Sequence, residues 1–457
     1  YSQGTYYLSS VADSIYIHPS GIVDFRGFSV TVPFLKGMLD KIGVQAQVFY
    51  AGDFKSATEP LRRTDISDEN REQTREYLRA LYDIFLQDIA ESRNTTPETL
   101  EQLADNFSLQ FTEDAIRNGF VDRIVYQDEF IDVIRKEING QADDPVNLIS
   151  LEKYYSKNKK AIAKISGEKE VAIVYMEGGI VIEGNDPGTI SSKKYVELLR
   201  EIREKEDLGA VIVRINSGGG SALASDKIAR EIQLIRDKGI PVVASMGDVA
   251  ASGGYYIAAP ADIIYAAPNT ITGSIGVFSV IPQAKELMQE KIGLSFDTVT
   301  TGPHAAGFNI AKELSEAEKK YYQSSVDSIY QSFLEHVADG RSMSVAQVHE
   351  IAQGRVWPGT KALEINLVDK IGNMQNAFDK GVELAELTDY KIREYPKTKN
   401  PLEMILESFG ESGGKSPSIK KEIESVLVET FPQYQIKKEY ENMRGIQMRL
   451  PYYINFS

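Results

Sequence analysis

The chain repeats itself, and that feature limits its possible folds more than any other. Gly4-Thr-Tyr-Tyr-Leu-Ser-Ser-Val-Ala-Asp13 matches Gly253-Gly-Tyr-Tyr-Ile-Ala-Ala-Pro-Ala-Asp262 at an offset of 249 residues. The match continues through Ile15-Tyr16 against Ile264-Tyr265 and Pro19 against Pro268. Lys41-Ile-Gly43 matches Lys291-Ile-Gly293 at an offset of 250, and Gly119-Phe-Val-Asp-Arg-Ile124 matches Asn366-Leu-Val-Asp-Lys-Ile371 at 247. A nearly constant offset predicts two copies of one domain. At 457 residues the chain is also too long for a single ordinary core.

The second copy shows more of the fold. Val171–Tyr175, Leu208–Ile215 and Ile240–Ser245 read as short buried strands. Between them, Ser192–Lys205 and Ala222–Lys238 carry apolar residues at helical spacing. Strands alternating with helices predict an α/β domain with a parallel sheet. The first copy lacks this upstream part and reads as N-terminally truncated. The resulting division is 1–134 for the first repeat, 135–170 for a polar linker, 171–392 for the second repeat and 393–457 for a C-terminal extension. Gly410–Pro417 in that extension reads as a flexible loop.

Composition excludes several functions. The formal charge of −15 disfavours nucleic acid and broad docking on anionic lipid. There are no cysteines, hence no disulfides and no thiol catalysis. The four histidines, His18, His304, His336 and His349, show no zinc-peptidase spacing, and no metal or cofactor is expected. The most apolar stretch, Pro241–Pro268, is broken by Asp248, Asp262 and a glycine pair, so it reads as buried rather than membrane-spanning. The chain opens at Tyr1 with no signal peptide, which suggests a trimmed chain whose anchor lies upstream.

Two segments carry potential chemistry. Asn216-Ser-Gly-Gly-Gly-Ser221 follows a strand and opens a helix, a geometry that presents free N–H groups to an anion or oxyanion. Asp248-Val-Ala-Ala-Ser-Gly-Gly-Tyr255 also follows a strand, and can project the Ser252 hydroxyl toward the N–H of Gly253. Taken alone, the first reads more simply as a tight strand-to-helix turn, and the second reads as well as a helix-capping serine. Together they sit at the C-terminal ends of strands in one sheet, where ligand crevices form. They supply everything acyl transfer needs except a base. The histidines are poor bases, and a buried neutral lysine can replace one.

These motifs, with Thr272-Gly-Ser-Ile-Gly276 downstream, resemble the signal peptide peptidase A family, and the duplication resembles its long tandem form. The resemblance implies two tandem domains of the Clp protease and crotonase-like fold and a Ser–Lys dyad. Ser252 falls on the nucleophile. Lys55, in Gly52-Asp-Phe-Lys-Ser-Ala-Thr-Glu-Pro60, falls on the base. Ser274 falls on the serine that positions the lysine, and Gly219 and Gly253 on the oxyanion donors. Gly218 stands where the family's usual motif has proline, which loosens that turn. The resemblance further implies hydrophobic peptide substrates, namely remnant signal peptides. It implies a homo-oligomer, most simply a tetramer, and a site on the periplasmic face of a bacterial inner membrane.

The repeat bears on the dyad independently. Ser252 aligns with Gln3, and Lys55 aligns with Ala305. Each copy therefore carries one half of the pair and lacks the other. Ile271–Val280 reads either as the lining of a hydrophobic groove or as ordinary core. Two other functions stand against the peptidase reading. One is a crotonase-type acyl-CoA enzyme that uses the same N–H groups. The other is a non-catalytic scaffold.

Overall fold

In the computed structural model, Lys169–Glu177, Leu208–Ser217 and Val242–Ala251 lie side by side and parallel. Residues 1–138, 141, 144–162, 167–184, 186, 188–396 and 446–449 are described. The expected loop Gly410–Pro417 lies outside them. The three strands are runs of Val, Ile and Ala because both faces of the sheet are covered. Val171, Val174, Val211, Ile212, Val242 and Val243 are all 0% exposed. Each such side chain contributes about 1.5–3 kcal/mol through burial. Helices Ser192–Arg203 and Ala222–Asp237 pack their apolar stripes on one face, and Met374–Leu384 covers the other.

Chain contacts divide the protein into two units. The smaller comprises Tyr1–Thr31 and Thr74–Lys164, and the larger comprises Val32–Gln73 and Ile165–Tyr453. Residues 32–73 thus group differently from the division read in the sequence. The reason is a seven-residue antiparallel pairing of Gln45–Ala51 with Val277–Gln283.

In the larger unit the mainly parallel sheet runs in the order Val356–Pro358, Ile271–Gly273, Val242–Ala251, Leu208–Ser217, Lys169–Glu177, Tyr390–Tyr395, with Val356–Pro358 antiparallel to its neighbour. A second sheet of the same unit runs Gln45–Ala51, Val277–Gln283, Ile446–Arg449, Gly219–Ser221, Gly179–Val181, Thr189–Ser191.

The smaller unit is mainly helical, with Tyr6, Phe25, Phe85, Ile89, Leu100 and Phe120 in its core. Its two-stranded sheet pairs Tyr16–Ile17 in parallel with Arg123–Ile124. The larger unit repeats this, pairing Tyr265–Ala266 with Lys370–Ile371.

The tethers repeat as well. Tyr6 Oη donates to Phe120 O at 2.9 Å, and Tyr255 Oη donates to Leu367 O at 2.8 Å. Asp122 accepts the Ile15 N–H and pairs with Arg93, while Asp369 accepts the Ile264 N–H and pairs with Arg341. Helices Asp68–Arg93 and Glu316–Arg341 are both 26 residues long. These paired features recur at the offset read in the sequence.

The Asp369 pair is the more buried, its arginine side chain being 7% exposed against 11% for Arg93. Asp369→Ala strands both the guanidinium and the Ile264 N–H, and should cost about 1–3 kcal/mol. Thermal unfolding should show a larger loss for Asp369→Ala than for Asp122→Ala.

Candidate active site

Ser252 lies between the end of strand Val242–Ala251 and the start of helix Gly253–Ala258. Its φ of 55° is positive, which is uncommon for a residue with a side chain. The turn is held by its N–H, which donates to Gly273 O at 2.8 Å. Ser274 repeats the arrangement after the neighbouring strand Ile271–Gly273, with φ 50° and its N–H donating to Arg355 O at 2.7 Å. The two strands pair in parallel, Gly273 opposite Ala251, so the two serines lie at matching strand ends.

Lys55 reaches both. Its Nζ lies 2.9 Å from Ser252 Oγ and 3.0 Å from each of Ser274 O and Ser274 Oγ. All three residues are sealed, with Ser252 and Ser274 at 0% exposure and Lys55 at 1%. Desolvation pushes the Lys55 amine well below the ordinary lysine value.

The loop that carries Lys55 is fixed from several sides. Gly354 (φ 82°) packs so closely that a Cβ there would fall 2.6 Å from Lys55 N. Phe54 N–H donates to Gln353 O at 2.9 Å. Gln73, buried at the start of helix Asp68–Arg93, spans the loop. Its Nε2 lies 3.1 Å from Phe54 O, Ser56 Oγ and Asn70 Oδ1, and its Oε1 accepts the Val356 N–H at 3.2 Å. Glu59, also buried, accepts from Ser67 and from Asn70 Nδ2 at 2.9 Å. Neither Gln73 nor Glu59 is singled out by the sequence. The only signal was that Glu59 belongs to the same short motif as Lys55.

Gly219 and Gly253 are brought together. A Cβ on Gly219 (φ 98°) would lie 2.8 Å from Gly253 N, so a side chain at 219 would block the approach. Gly253 opens its helix, and its N–H therefore has no acceptor within the helix. The Gly219 N–H donates to Ser217 Oγ at 3.1 Å, and Ser217 Oγ donates to Gly178 O at 2.7 Å. Ser217 was not expected from the sequence to take part.

Residues of Ile271–Val280 belong to the core: Ile275 and Val277 join the main cluster, and Phe278 and Val280 pack with Ala57. The histidines lie elsewhere. His336 stacks on Tyr256 at 3.9 Å and bonds its backbone oxygen, His349 contacts Tyr330, His18 accepts the Ser20 N–H, and His304 is exposed. Among the described residues no group of carboxylates and histidines is placed to hold a metal, and no helix is long and apolar enough to cross a membrane.

The model of peptidase family S49 matches residues 1–140 and 235–388. The chain belongs to peptidase family S49. Lys55 lies in the first matched segment, and Ser252 and Ser274 in the second. The chain is 33% identical over 435 residues to Protease 4 of Salmonella typhi, which covers 93% of this chain and 69% of that protein. It is 35% identical to Protease 4 of Haemophilus influenzae, over 84% of this chain and 63% of that one. It is 33% identical to the chloroplastic serine protease SPPA of Arabidopsis thaliana, over 89% and 61%. The chain thus spans roughly two thirds of the length of each relative. By family it is a serine peptidase.

Gln73 ties both neighbours of Lys55 to Val356, one residue from the Arg355 carbonyl that holds Ser274. Gln73→Ala should therefore displace the amine without touching any groove for peptide. An ångström-scale shift costs about 10²-fold. The expected result is a kcat for peptide cleavage lowered about 10- to 100-fold with KM changed less than threefold, read by steady-state kinetics.

Proposed function

We propose that Ser252 is the nucleophile and Lys55 the general base of a Ser–Lys dyad. The observation that carries the reading is the 2.9 Å contact between Lys55 Nζ and Ser252 Oγ in a fully buried site. A neutral amine has two N–H donors and one lone pair. With its N–H groups on Ser274 O and Oγ, the lone pair faces the Ser252 hydroxyl. Ser274 is thus the positioning residue, and desolvation keeps the amine neutral.

In the reaction, Ser252 Oγ attacks the peptide carbonyl as its proton passes to Lys55 Nζ. The Gly253 N–H stabilises the oxyanion, joined by the Gly219 N–H once its peptide turns from Ser217. Lys55 then protonates the leaving amine. It next takes a proton from water, which hydrolyses the acyl-enzyme and restores the Ser252 hydroxyl. The crotonase-type alternative would need neither Ser252 nor Lys55, and it has no support from a peptidase family match.

Lys55 is charged below its folded pKa, so activity should rise with pH through that lowered value. A profile flat from about pH 5 to 10 would overturn the dyad. Ser252→Ala and Lys55→Ala should each abolish cleavage, and Ser252→Ala should also abolish labelling by a fluorophosphonate. The pair lies within one chain, so mixing the two variants should restore nothing.

The stability sign follows from the same shift. Between the lowered folded pKa and 10.5 the unfolded state binds the extra proton, so this group's contribution to stability rises with pH. Lys55→Met removes that dependence. It should raise the unfolding midpoint more at pH 7 than at pH 10.

The finer reading takes hydrophobic peptides as substrates, in particular signal peptides remaining in a bacterial inner membrane, with the site on the periplasmic face. One of the relatives is a putative signal peptide peptidase SppA of Enterococcus faecium, 35% identical over 222 residues.

We further propose a homo-oligomer, taken as a tetramer. By the repeat offset, residues 295–301 correspond to Gln45–Ala51, and Phe28-Ser29-Val30 corresponds to Phe278-Ser279-Val280. The partners Gln45–Ala51 and Val277–Gln283 are paired, whereas the two counterparts form no strand, and Phe296 and Val299 are 47% and 99% exposed. Joining these counterparts between chains repeats the internal junction head to tail, which closes into a ring. Phe296→Glu with Val299→Glu should lower the mass seen by light scattering to that of one chain. An unchanged mass would overturn this interface.

A further inference from the structure

Arg355 touches both supports of the Lys55 amine. Its backbone oxygen accepts the Ser274 N–H at 2.7 Å and so fixes the Ser274 turn. Its guanidinium lies over the ring of Phe54, the residue before Lys55, at 4.7 Å. It also lies over the Trp357 ring at 4.5 Å. Trp357 packs so closely on Gly273 that a Cβ there would fall 2.9 Å from Trp357 Cδ1, and Gly273 O holds the Ser252 N–H. A guanidinium over two aromatic faces is held by their negative quadrupoles and by flat stacking. Glu72, 3.3 Å away and 58% exposed, adds little to that hold.

The repeat separates this contact from the needs of the fold. Features that the fold needs recur, as Tyr6 with Tyr255 and Asp122 with Asp369 do. At the offset of 247, Leu109 corresponds to Val356 and Ala115 to Ala362, and all four are buried. On either side of Leu109, however, Ser108 and Gln110 stand where the second repeat has Arg355 and Trp357. Lys55 and Arg355 are thus missing together: their counterparts are Ala305 and Ser108.

We propose that Arg355 is a positioning residue that clamps the loop of the base against the turns of Ser252 and Ser274. The proposal rests on the reading of Ser252 and Lys55 as a catalytic dyad. The clamp acts without touching Nζ. Of the charged groups on and around the loop, Asp53 is exposed, Glu59 is bonded to Ser67 and Asn70, and Glu72 pairs with Arg355. Loss of the guanidinium frees the Phe54–Lys55 step from the Ser274 turn. Water then reaches the amine and raises its pKa toward the ordinary lysine value.

Arg355→Gln should lower kcat for peptide cleavage about 10- to 100-fold, with KM changed less than about threefold. The rising limb of its pH profile should move about one unit to higher pH. A merely structural role would lower the unfolding midpoint and leave the limb in place. A folded variant whose limb is unmoved would overturn the proposal, whatever its kcat.

Phe54→Leu removes the clamp from its other end and should move the limb in the same direction. The double variant should lose no more than about threefold beyond the larger single loss, because the two residues act as one unit. Losses that multiply would overturn the clamp. Should Arg355→Gln fail to fold, an unmoved limb in Phe54→Leu would overturn it alone. The dyad is read separately, by fluorophosphonate labelling of the wild-type chain and its loss in Ser252→Ala, so the two readings fail independently.

Discussion

The site depends on one unfavourable act, the removal of a lysine amine from water. A buried ammonium without a counter-ion costs several kcal/mol. Among the described residues the hydrogen-bond partners of Lys55 Nζ are all neutral: a hydroxyl, a carbonyl and a second hydroxyl. Such a site is cheapest to fold with the amine uncharged, the form able to accept a proton. The surroundings keep water and carboxylates away from Nζ and hold the loop still. Gly354 lets backbone meet backbone, and Gln73 bridges the residues on either side of Lys55. The Glu59 carboxylate is directed at Ser67 and Asn70 instead of at the amine.

The same economy applies to the two serines. Ser252 and Ser274 each hold a left-handed backbone at the end of adjacent strands, a conformation that costs of order 1–3 kcal/mol. Neighbouring carbonyls fix both turns, from Gly273 and Arg355. The core beneath the site tolerates this because it is dense, with Ile275, Val277, Ala250 and Tyr255 all at most 1% exposed.

Much of this was legible in the sequence. The repeat predicted paired features, and Tyr6 with Tyr255 and Asp122 with Asp369 perform matching tasks in their units. The strands at Val171, Leu208 and Val242 were readable because parallel strands buried on both faces are continuously apolar. Ser252 was readable at its strand-to-helix junction, whereas Lys55 came from the family resemblance, to which the repeat adds that each copy lacks the other's residue.

What was hidden depends on direction and distance. A glutamine in the first turns of a polar helix reads as surface, and only the fold places Gln73 beneath Lys55. The Gly219 peptide could be placed by its motif, but its N–H direction toward Ser217 could not. The pairing of Gln45–Ala51 with Val277–Gln283 joins segments whose separation no local pattern encodes, and it moved residues 32–73 into the larger unit. Ile446-Gln-Met-Arg-Leu450 alternates apolar and polar residues, a short strand signal within a stretch read only as a C-terminal extension.

The 197 residues between Lys55 and Ser252 also set a schedule. A ribosome releases the amine long before the hydroxyl, and the contact from Gln73 to Val356 comes later still. At about 5–20 residues per second, the interval from Lys55 to Val356 lasts about 15–60 s. Until Ser252 emerges the growing chain holds one half of the proposed dyad, and until Val356 follows the Lys55 loop lacks its tether through Gln73. Separating the two halves along the polypeptide therefore delays assembly of the proposed dyad until both segments have been made.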